Sequence, residues 1–373
     1  MKIALDLQPC CGNRSGIGTY TYEIAKRLKD EDGLEFCGNL FNLAGRRDHS
    51  QALQGISMPI RENRMLDYGI YRRIWKQLPV SYQQLFPESD LTVCFDYIVP
   101  PRVKGKVITT IHDLTHIRYP ETMKKRNRRR IEDGLPYSIE RCDHVVVVSE
   151  FSKREVTELL QVPEDKISVV YGAPSITDEI APFSQLRERW NITQPYLLYV
   201  GTIEPRKNLV RLLEAFKRLK EEQGIPHQLV LAGGTGWNSE EILKRAEDPV
   251  ITESVVLTGY VSGAEKNALY QNAAAFLFPS LYEGFGLPPL EAMSFGCPVV
   301  CAEAASLPEV VGPAARLVDP LDELSIAEGI WQVLSKEEYT SELVKLGYEQ
   351  IKTFSWNASA TRLTEVCKAV LGV

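Results

Sequence analysis

Short apolar runs of strand length recur along this chain, and between most of them lie stretches with the apolar spacing of an amphipathic helix. That alternation admits few folds. A strand followed by a helix returns to a parallel neighbour, and a parallel sheet needs covering on both faces. Residues 2–7, 34–41, 91–97, 106–111, 145–148 and 167–171 read as strands, and 17–28 as the first helix. A second series opens at 196–200, with strands at 228–232, 254–257, 273–278, 298–301 and 316–318 and helices at 209–223, 240–246 and 289–295. At 373 residues the chain exceeds one ordinary domain. The predicted fold is α/β: two Rossmann-like, doubly wound domains facing a cleft, with ligands at the carboxyl ends of strands. The expected bounds are 1–174 and 190–352, with a polar connection through Arg187 and a helical tail over 353–373.

Bulk properties exclude several classes. The net charge of −6 disfavours a nucleic-acid binder. No run approaches the roughly 20 apolar residues of a membrane span, and Asp6 interrupts the N-terminal apolar run, so no secretory leader is expected. The 8 cysteines form no C-x-x-C pair and have no histidine cluster beside them, which predicts free thiols in a reducing cytoplasm. The sequon at Asn357 is then without consequence. Asp30-Glu31-Asp32, the only Asp-x-Asp, falls in an acidic turn away from strand ends, so no metal site and no metal-dependent catalysis are expected.

Residues 283–291 read Glu-Gly-Phe-Gly-Leu-Pro-Pro-Leu-Glu. Gly284 and Gly286 leave backbone amides approachable, and a helix opened by Pro288-Pro289 would add free N–H groups and a positive dipole end. Such a turn suits phosphate, whereas ionised Glu283 and Glu291 only accept hydrogen bonds and suit hydroxyls. Phosphate and polyol together describe a sugar nucleotide. Gly201 to Asn208 occupies the loop after the first strand of the second series. Its Arg206 and Lys207 oppose the dipole at a helix start, so they suit the charge of a departing diphosphate better than a solvated surface.

Other strand ends carry weaker signals. Ser15-Gly16-Ile17-Gly18-Thr19 lies where a phosphate-binding turn sits, but Thr21 replaces the third glycine of a dinucleotide fingerprint. Gly233-Gly234 and Gly259-Tyr260-Val261 end strands, and the backbone of Tyr260 and Val261 could line a nucleobase pocket; ordinary turns explain each nearly as well. His112-Asp113 ends a strand, placing an imidazole able to donate to a sugar oxygen, while His116 and His144 are expected to be solvated. The cationic run 124–130 and the aromatic stripe Tyr68, Tyr71, Trp75, Leu78, with Arg64, Arg72, Arg73 and Lys76 around it, fit an anionic membrane surface and an inward-packed stripe equally.

The E-x7-E element, the block 201–208, the Gly-Tyr-Val turn and Phe278-Pro279-Ser280, in this order and spacing, resemble family four glycosyltransferases of the two-domain GT-B type. The resemblance covers nearly the whole chain and implies transfer with retention from a nucleotide-sugar donor; no cofactor is expected. It implies that Arg206 and Lys207 bind the donor diphosphate, Glu291 the ribose and Glu283 the transferred sugar. Ser280, Gly284, Phe285, Gly286 and Leu287 would line the sugar and phosphate, Gly201 and Gly234 the donor loops, Gly16 and Gly18 the diphosphate, and His112 the sugar. Phe354-Ser355-Trp356 and the helix after it are similar to the family's last helix, which crosses back onto the first domain. The opening Ser-Gly-Ile-Gly-Thr-Tyr, with His112-Asp113-Leu114 and Arg118-Tyr119-Pro120, is similar to bacterial mannosyltransferases of O-antigen or exopolysaccharide assembly. That likeness implies GDP-mannose or a related GDP-deoxysugar as donor. It also implies a glycan on polyprenyl diphosphate as acceptor and a cytoplasmic place at the inner membrane face. A nucleotide-sugar epimerase and a non-catalytic glycan-binding subunit remain as alternatives.

Overall fold

The computed structural model describes residues 1–11, 16–31, 33–74 and 81–373. The chain divides into two compact units. The first comprises Met1–His116, Lys125–Gly172 and Ser355–Val373, and the second Ile117–Lys124 and Ala173–Phe354. Ile117–Lys124 therefore departs from a simple split at residue 174, since it leaves the first half of the sequence to pack with the second unit.

The first unit is built on a seven-stranded parallel sheet: β1 (Lys2–Asp6), β2 (Glu35–Phe41), β3 (Ile60–Asn63), β4 (Leu91–Cys94), β5 (Lys106–Ile111), β6 (His144–Val147) and β7 (Ile167–Val169). The order is β3-β2-β1-β4-β5-β6-β7. Strands β4 to β6 are buried nearly end to end, as helix cover on both faces demands. The last helix, Trp356–Leu371, lies in this unit: Ser359 Oγ donates to Tyr171 O at 2.7 Å, and the Trp356 ring meets Tyr20 edge-on at 5.9 Å.

The second unit holds a six-stranded parallel sheet: β8 (Tyr196–Val200), β9 (Gln228–Ala232), β10 (Val255–Gly259), β11 (Ala275–Phe278), β12 (Val299–Ala302) and β13 (Ala315–Val318). Its order is β10-β9-β8-β11-β12-β13. After β10 the chain crosses to the far side of β8, so β8 and β11 become neighbours whose following loops leave side by side. That switch point is where a doubly wound sheet accepts ligands. The helix Leu209–Gln223 buries Leu209, Leu212, Leu213, Phe216 and Leu219 on one face and ends at Gly224, whose φ of 60° is the left-handed conformation that stops a helix.

The fold settles one reading left open by the sequence and corrects another. Residues 60–63 form strand β3, and a helix starts at Tyr68. Its stripe packs inward, with Tyr71 fully buried against Phe41 and Tyr82 and with Tyr68 at the edge of that cluster. Trp75 and Leu78 lie outside the described residues. His116 is 6% exposed, and His144 is half-buried with its Nε2 2.9 Å from Ser168 Oγ, so neither is a solvated histidine. No helix among the described residues is long and apolar enough to cross a membrane.

Candidate functional site

The loop after β8 and the loop after β11 meet at the switch point of the second unit. Gly201 takes a φ of 154° and continues the β8–β9 ladder, with Gly201 N bonded to Ala232 O and Ile203 N to Gly234 O. This contact depends on Gly233, where an added Cβ would sit 1.9 Å from Gly201 O. A short 3-10 turn, Pro205–Lys207, then presents the two cations. Asn208 ends the turn at a φ of 60°, a conformation asparagine tolerates. Its Nδ2 donates to Pro279 O at 3.1 Å and Pro320 O at 2.6 Å, and Leu281 N donates to Arg206 O at 2.9 Å. These bonds tie the two loops together.

The side chains then converge. Lys207 Nζ lies 2.5 Å from Glu283 Oε1, and Arg206 Nη1 lies 2.8 Å from Glu283 Oε2. Arg206 Nη2 bonds Glu204 Oε1 at 2.9 Å, and Arg206 Nη1 donates to Tyr282 O at 2.6 Å. The cation pair is thus lodged in the interior, with only 16% and 12% of its side chains exposed. Burial pushes the Glu283 carboxyl up, but the charges of Arg206 and Lys207 and their hydrogen bonds outweigh it and hold it at about 2. For Lys207, burial and the neighbouring Arg206 win, and its pKa falls below the ordinary lysine value.

The Glu283 loop is shaped from behind. Ser306, fully buried before the short helix Leu307–Val311, places its Oγ 2.8 Å from Glu283 O and 2.9 Å from Phe285 O. Both carbonyls therefore turn inward. Gly286, at φ 109°, caps the helix Leu287–Ser294, and an added Cβ would meet Leu307 Cδ2 at 2.6 Å. Phe285 is buried, edge-on to Phe354 at 5.4 Å, and Leu287 is half-buried at the helix start.

Glu291 sits on the same helix, 5% exposed. Its Oε2 takes Lys266 Nζ at 2.7 Å and Tyr270 OH at 3.1 Å, both from one face of the helix Gly263–Asn272. Burial first, and then Glu291, raise the Tyr270 pKa well above its ordinary value, so the hydroxyl keeps its proton and donates. Glu291 Oε1 makes no hydrogen bond with any described residue. Glu204, Lys266, Tyr270 and Ser306 join this candidate site, and motif reading gave none of them a role. The capping box Ser262–Glu265 marked the helix carrying two of them.

Other sequence candidates fall in different surroundings. Ser280 is fully buried and its hydroxyl has no partner among the described residues. Tyr260 projects into solvent at 74% exposure, with Val261 half-buried beside it. Gly234 has open space where a side chain would be. Gly16 opens the helix Gly16–Ala25, and a Cβ added there would meet no described atom within 4 Å, while Gly18 is buried in that helix's first turn. His112 belongs to the first unit, where its Nε2 lies 2.8 Å from Phe95 O. A carbonyl can only accept, so Nε2 carries the proton and Nδ1 offers a lone pair. Burial lowers its pKa despite the bond to Phe95 and the charges of Asp96 and Asp113. The ring therefore accepts at its free nitrogen, where the sequence suggested a donor. Asp113 Oδ1 takes Thr115 N at 3.0 Å. Asp32 lies outside the described residues, and among those described no cluster could hold a metal ion.

Comparison with known proteins follows this division. Residues 14–173 match the family described as Glycosyltransferase Family 4, and residues 183–350 match Glycosyl transferases group 1. The chain is 32% identical to the O-antigen chain mannosyltransferase B of Escherichia coli, over 99% of this chain and 100% of that one. It is 30% identical to the O-antigen chain mannosyltransferase RfbU of Salmonella typhimurium, over 61% of this chain and 60% of that one. Among solved structures, the sucrose-phosphate synthase of Thermosynechococcus elongatus superposes with a TM-score of 0.73 at 20% identity, covering 100% of this chain and 99% of its own. Anabaena HepE, solved with UDP and glucose, also reaches 0.73, at 18% identity over 99% of this chain and 100% of its own. Both likenesses are of fold, and they agree with two parallel-sheet Rossmann-like units. By the full-length likeness to the first of these relatives, with a family matched in each half, the chain belongs to the group 1/family 4 glycosyltransferases.

Proposed function

We propose that the protein is a retaining hexosyltransferase of O-antigen assembly, which moves mannose or a related deoxysugar from a GDP-sugar to a glycan on polyprenyl diphosphate. The observation that carries this reading is the lodging of Arg206 and Lys207 on the two oxygens of Glu283. The four charges of Glu204, Arg206, Lys207 and Glu283 cancel, and the adjoining turn lends the amide groups and helix dipole that suit a phosphate. Charge growing on the departing diphosphate is then met by cations already in place. Electrostatic preorganisation of this kind is worth on the order of 3 kcal/mol for each donor removed.

Glu291 is assigned to the donor ribose: its Oε2 is committed to Lys266 and Tyr270, while Oε1 makes no bond with a described residue. Glu283 is a poor covalent nucleophile, because both of its oxygens are engaged by cations and its carboxyl is held at about 2. That favours front-face transfer, in which the acceptor hydroxyl attacks on the side the diphosphate leaves and gives its proton to a leaving-group oxygen. The mannosyl donor and the glycan acceptor are drawn from the relatives' names. Independence from a divalent ion is part of the proposal, since fixed cations take the ion's usual role. The exposed cations Lys125, Arg126 and Arg129 would hold the protein at an anionic membrane face.

The test incubates the protein with GDP-mannose, UDP-glucose and ADP-glucose, with and without a lipid-linked glycan and with excess chelator. The proposal expects acceptor-dependent, chelator-insensitive release of GDP with retention at the anomeric carbon. Release from another nucleotide alone rejects the donor assignment. An isomerised sugar formed without acceptor indicates an epimerase, and no turnover with any donor indicates a non-catalytic subunit.

A further inference from the structure

Ile117–Lys124 leaves the first unit after His116 and belongs to the second. It grips that unit at two points, and both lie on loops of the site. Trp237 Nε1 donates to Thr122 O at 2.5 Å, and Lys124 Nζ sits 5.2 Å from the centre of the Trp237 ring. The Tyr119 ring packs on that of Tyr282, with centroids 5.8 Å apart and planes inclined by 44°. The segment is braced internally, because Thr122 Oγ1 and Thr122 N both donate to Tyr119 O, at 2.7 and 3.0 Å. The two grips are therefore held at a fixed spacing.

Each gripped residue is coupled to the cation pair. Tyr282 is 3% exposed, its carbonyl takes Arg206 Nη1 at 2.6 Å, and the next residue is Glu283. Trp237 follows Gly236, where an added Cβ would lie 2.8 Å from Ile203 O and 3.3 Å from Glu204 Cβ. The segment thus rests on the loops either side of the one that carries Arg206. Tyr119 and Trp237 are themselves only half-buried, so neither adds a large share of core burial.

We propose that Tyr119 is a positioning residue for transfer: its ring fixes Tyr282, the Tyr282 carbonyl fixes the direction of Arg206, and the Thr122–Trp237 bond sets the height of the whole strut. This rests on the donor-site reading above and extends it to the segment Ile117–Lys124. An error of a fraction of an ångström in a charge-stabilising group costs rate more than ground-state binding. The signature is therefore a loss in kcat with little change in donor KM.

The experiment compares the unaltered protein with Tyr119→Ala, Tyr119→Phe and Trp237→Phe, using GDP-mannose turnover and GDP titration. Tyr119→Ala is expected to lower kcat at least tenfold with donor KM within threefold. Tyr119→Phe keeps the ring contact and restores kcat to within twofold of the original. Trp237→Phe loses the N–H donor and lowers kcat at least threefold, which keeps the proposal testable if Tyr119→Ala does not fold. Unchanged kcat in Tyr119→Ala, or an equal loss in Tyr119→Phe, overturns the proposal while leaving the donor site standing. If the unaltered protein binds no GDP, the donor reading falls and this proposal falls with it.

Discussion

Lys207 and Glu283 stand 76 positions apart in the chain, yet their Nζ and Oε1 atoms are 2.5 Å apart in the fold. Topology brings them together, since one loop follows β8, the other follows β11, and these strands are neighbours at the switch point of the sheet. Whatever the site binds meets a charge pattern set by that adjacency.

Glu283 makes the protein sensitive to acid. Its folded pKa of about 2 lies below the ordinary value of 4.5, so its contribution to stability is complete above 4.5 and is lost as pH falls towards 2. The shift corresponds to about 3 kcal/mol as an order of magnitude. Urea unfolding at pH 6 and at pH 3 should show a steeper loss in the unaltered protein than in Glu283→Gln. At pH 6 the variant should be weaker by about 3–5 kcal/mol, as expected when a buried ion pair loses one partner. Parallel pH profiles for the two proteins would show that the carboxylate is not held by the cations.

Removing either cation should slow turnover sharply in a chain that is less stable but still folded. Lys207→Ala and Arg206→Gln are each expected to lower kcat on the order of 100-fold. The double variant should lose less than the product of the two, because both groups act on the same charge. Steady-state kinetics beside circular dichroism checks this, and near-normal turnover in either single variant would remove that residue from the chemistry.

For Glu291, replacement by Gln keeps the shape and removes the charge that holds Lys266. Binding of GDP should weaken by about tenfold, equivalent to about 1.4 kcal/mol. Calorimetric titration reads this directly, and an unchanged affinity would exclude Glu291 from nucleotide binding.

Ser306→Ala leaves the Glu283 and Phe285 carbonyls without their shared donor. A buried acceptor left unpaired costs about 1–3 kcal/mol. Chemical denaturation should show that loss, accompanied by a fall in kcat as the loop relaxes. A variant as stable and as active as the original would mean that the loop keeps its shape without the hydroxyl.

Much of this was legible in the residues themselves. Runs such as Tyr-Leu-Leu-Tyr-Val at β8 and His-Val-Val-Val at β6 are strands buried along nearly their whole length, and their apolar density shows in sequence. Strand β3 escaped because Ile60-Arg-Glu-Asn has only one apolar residue and lies at a sheet edge. The helix Gly263–Asn272 escaped because its buried face includes Asn267 and Tyr270, which blurs the apolar period; its capping box was the readable sign. The cation pair and Glu283 were readable because motif and loop position agree. Ser306 and the strut at Tyr119 were not, because their effect runs through backbone carbonyls, and the sequence does not record which carbonyl a side chain will meet.

The proposed reaction depends on Arg206 and Lys207 together forming the diphosphate site. The most direct test is calorimetric titration of GDP, with UDP and ADP as controls, into the unaltered protein and into Lys207→Ala. The unaltered protein should bind GDP in preference to UDP and ADP, and the variant should lose at least tenfold in affinity. No binding of any of the three nucleotides, or equal affinity in both proteins, would contradict it.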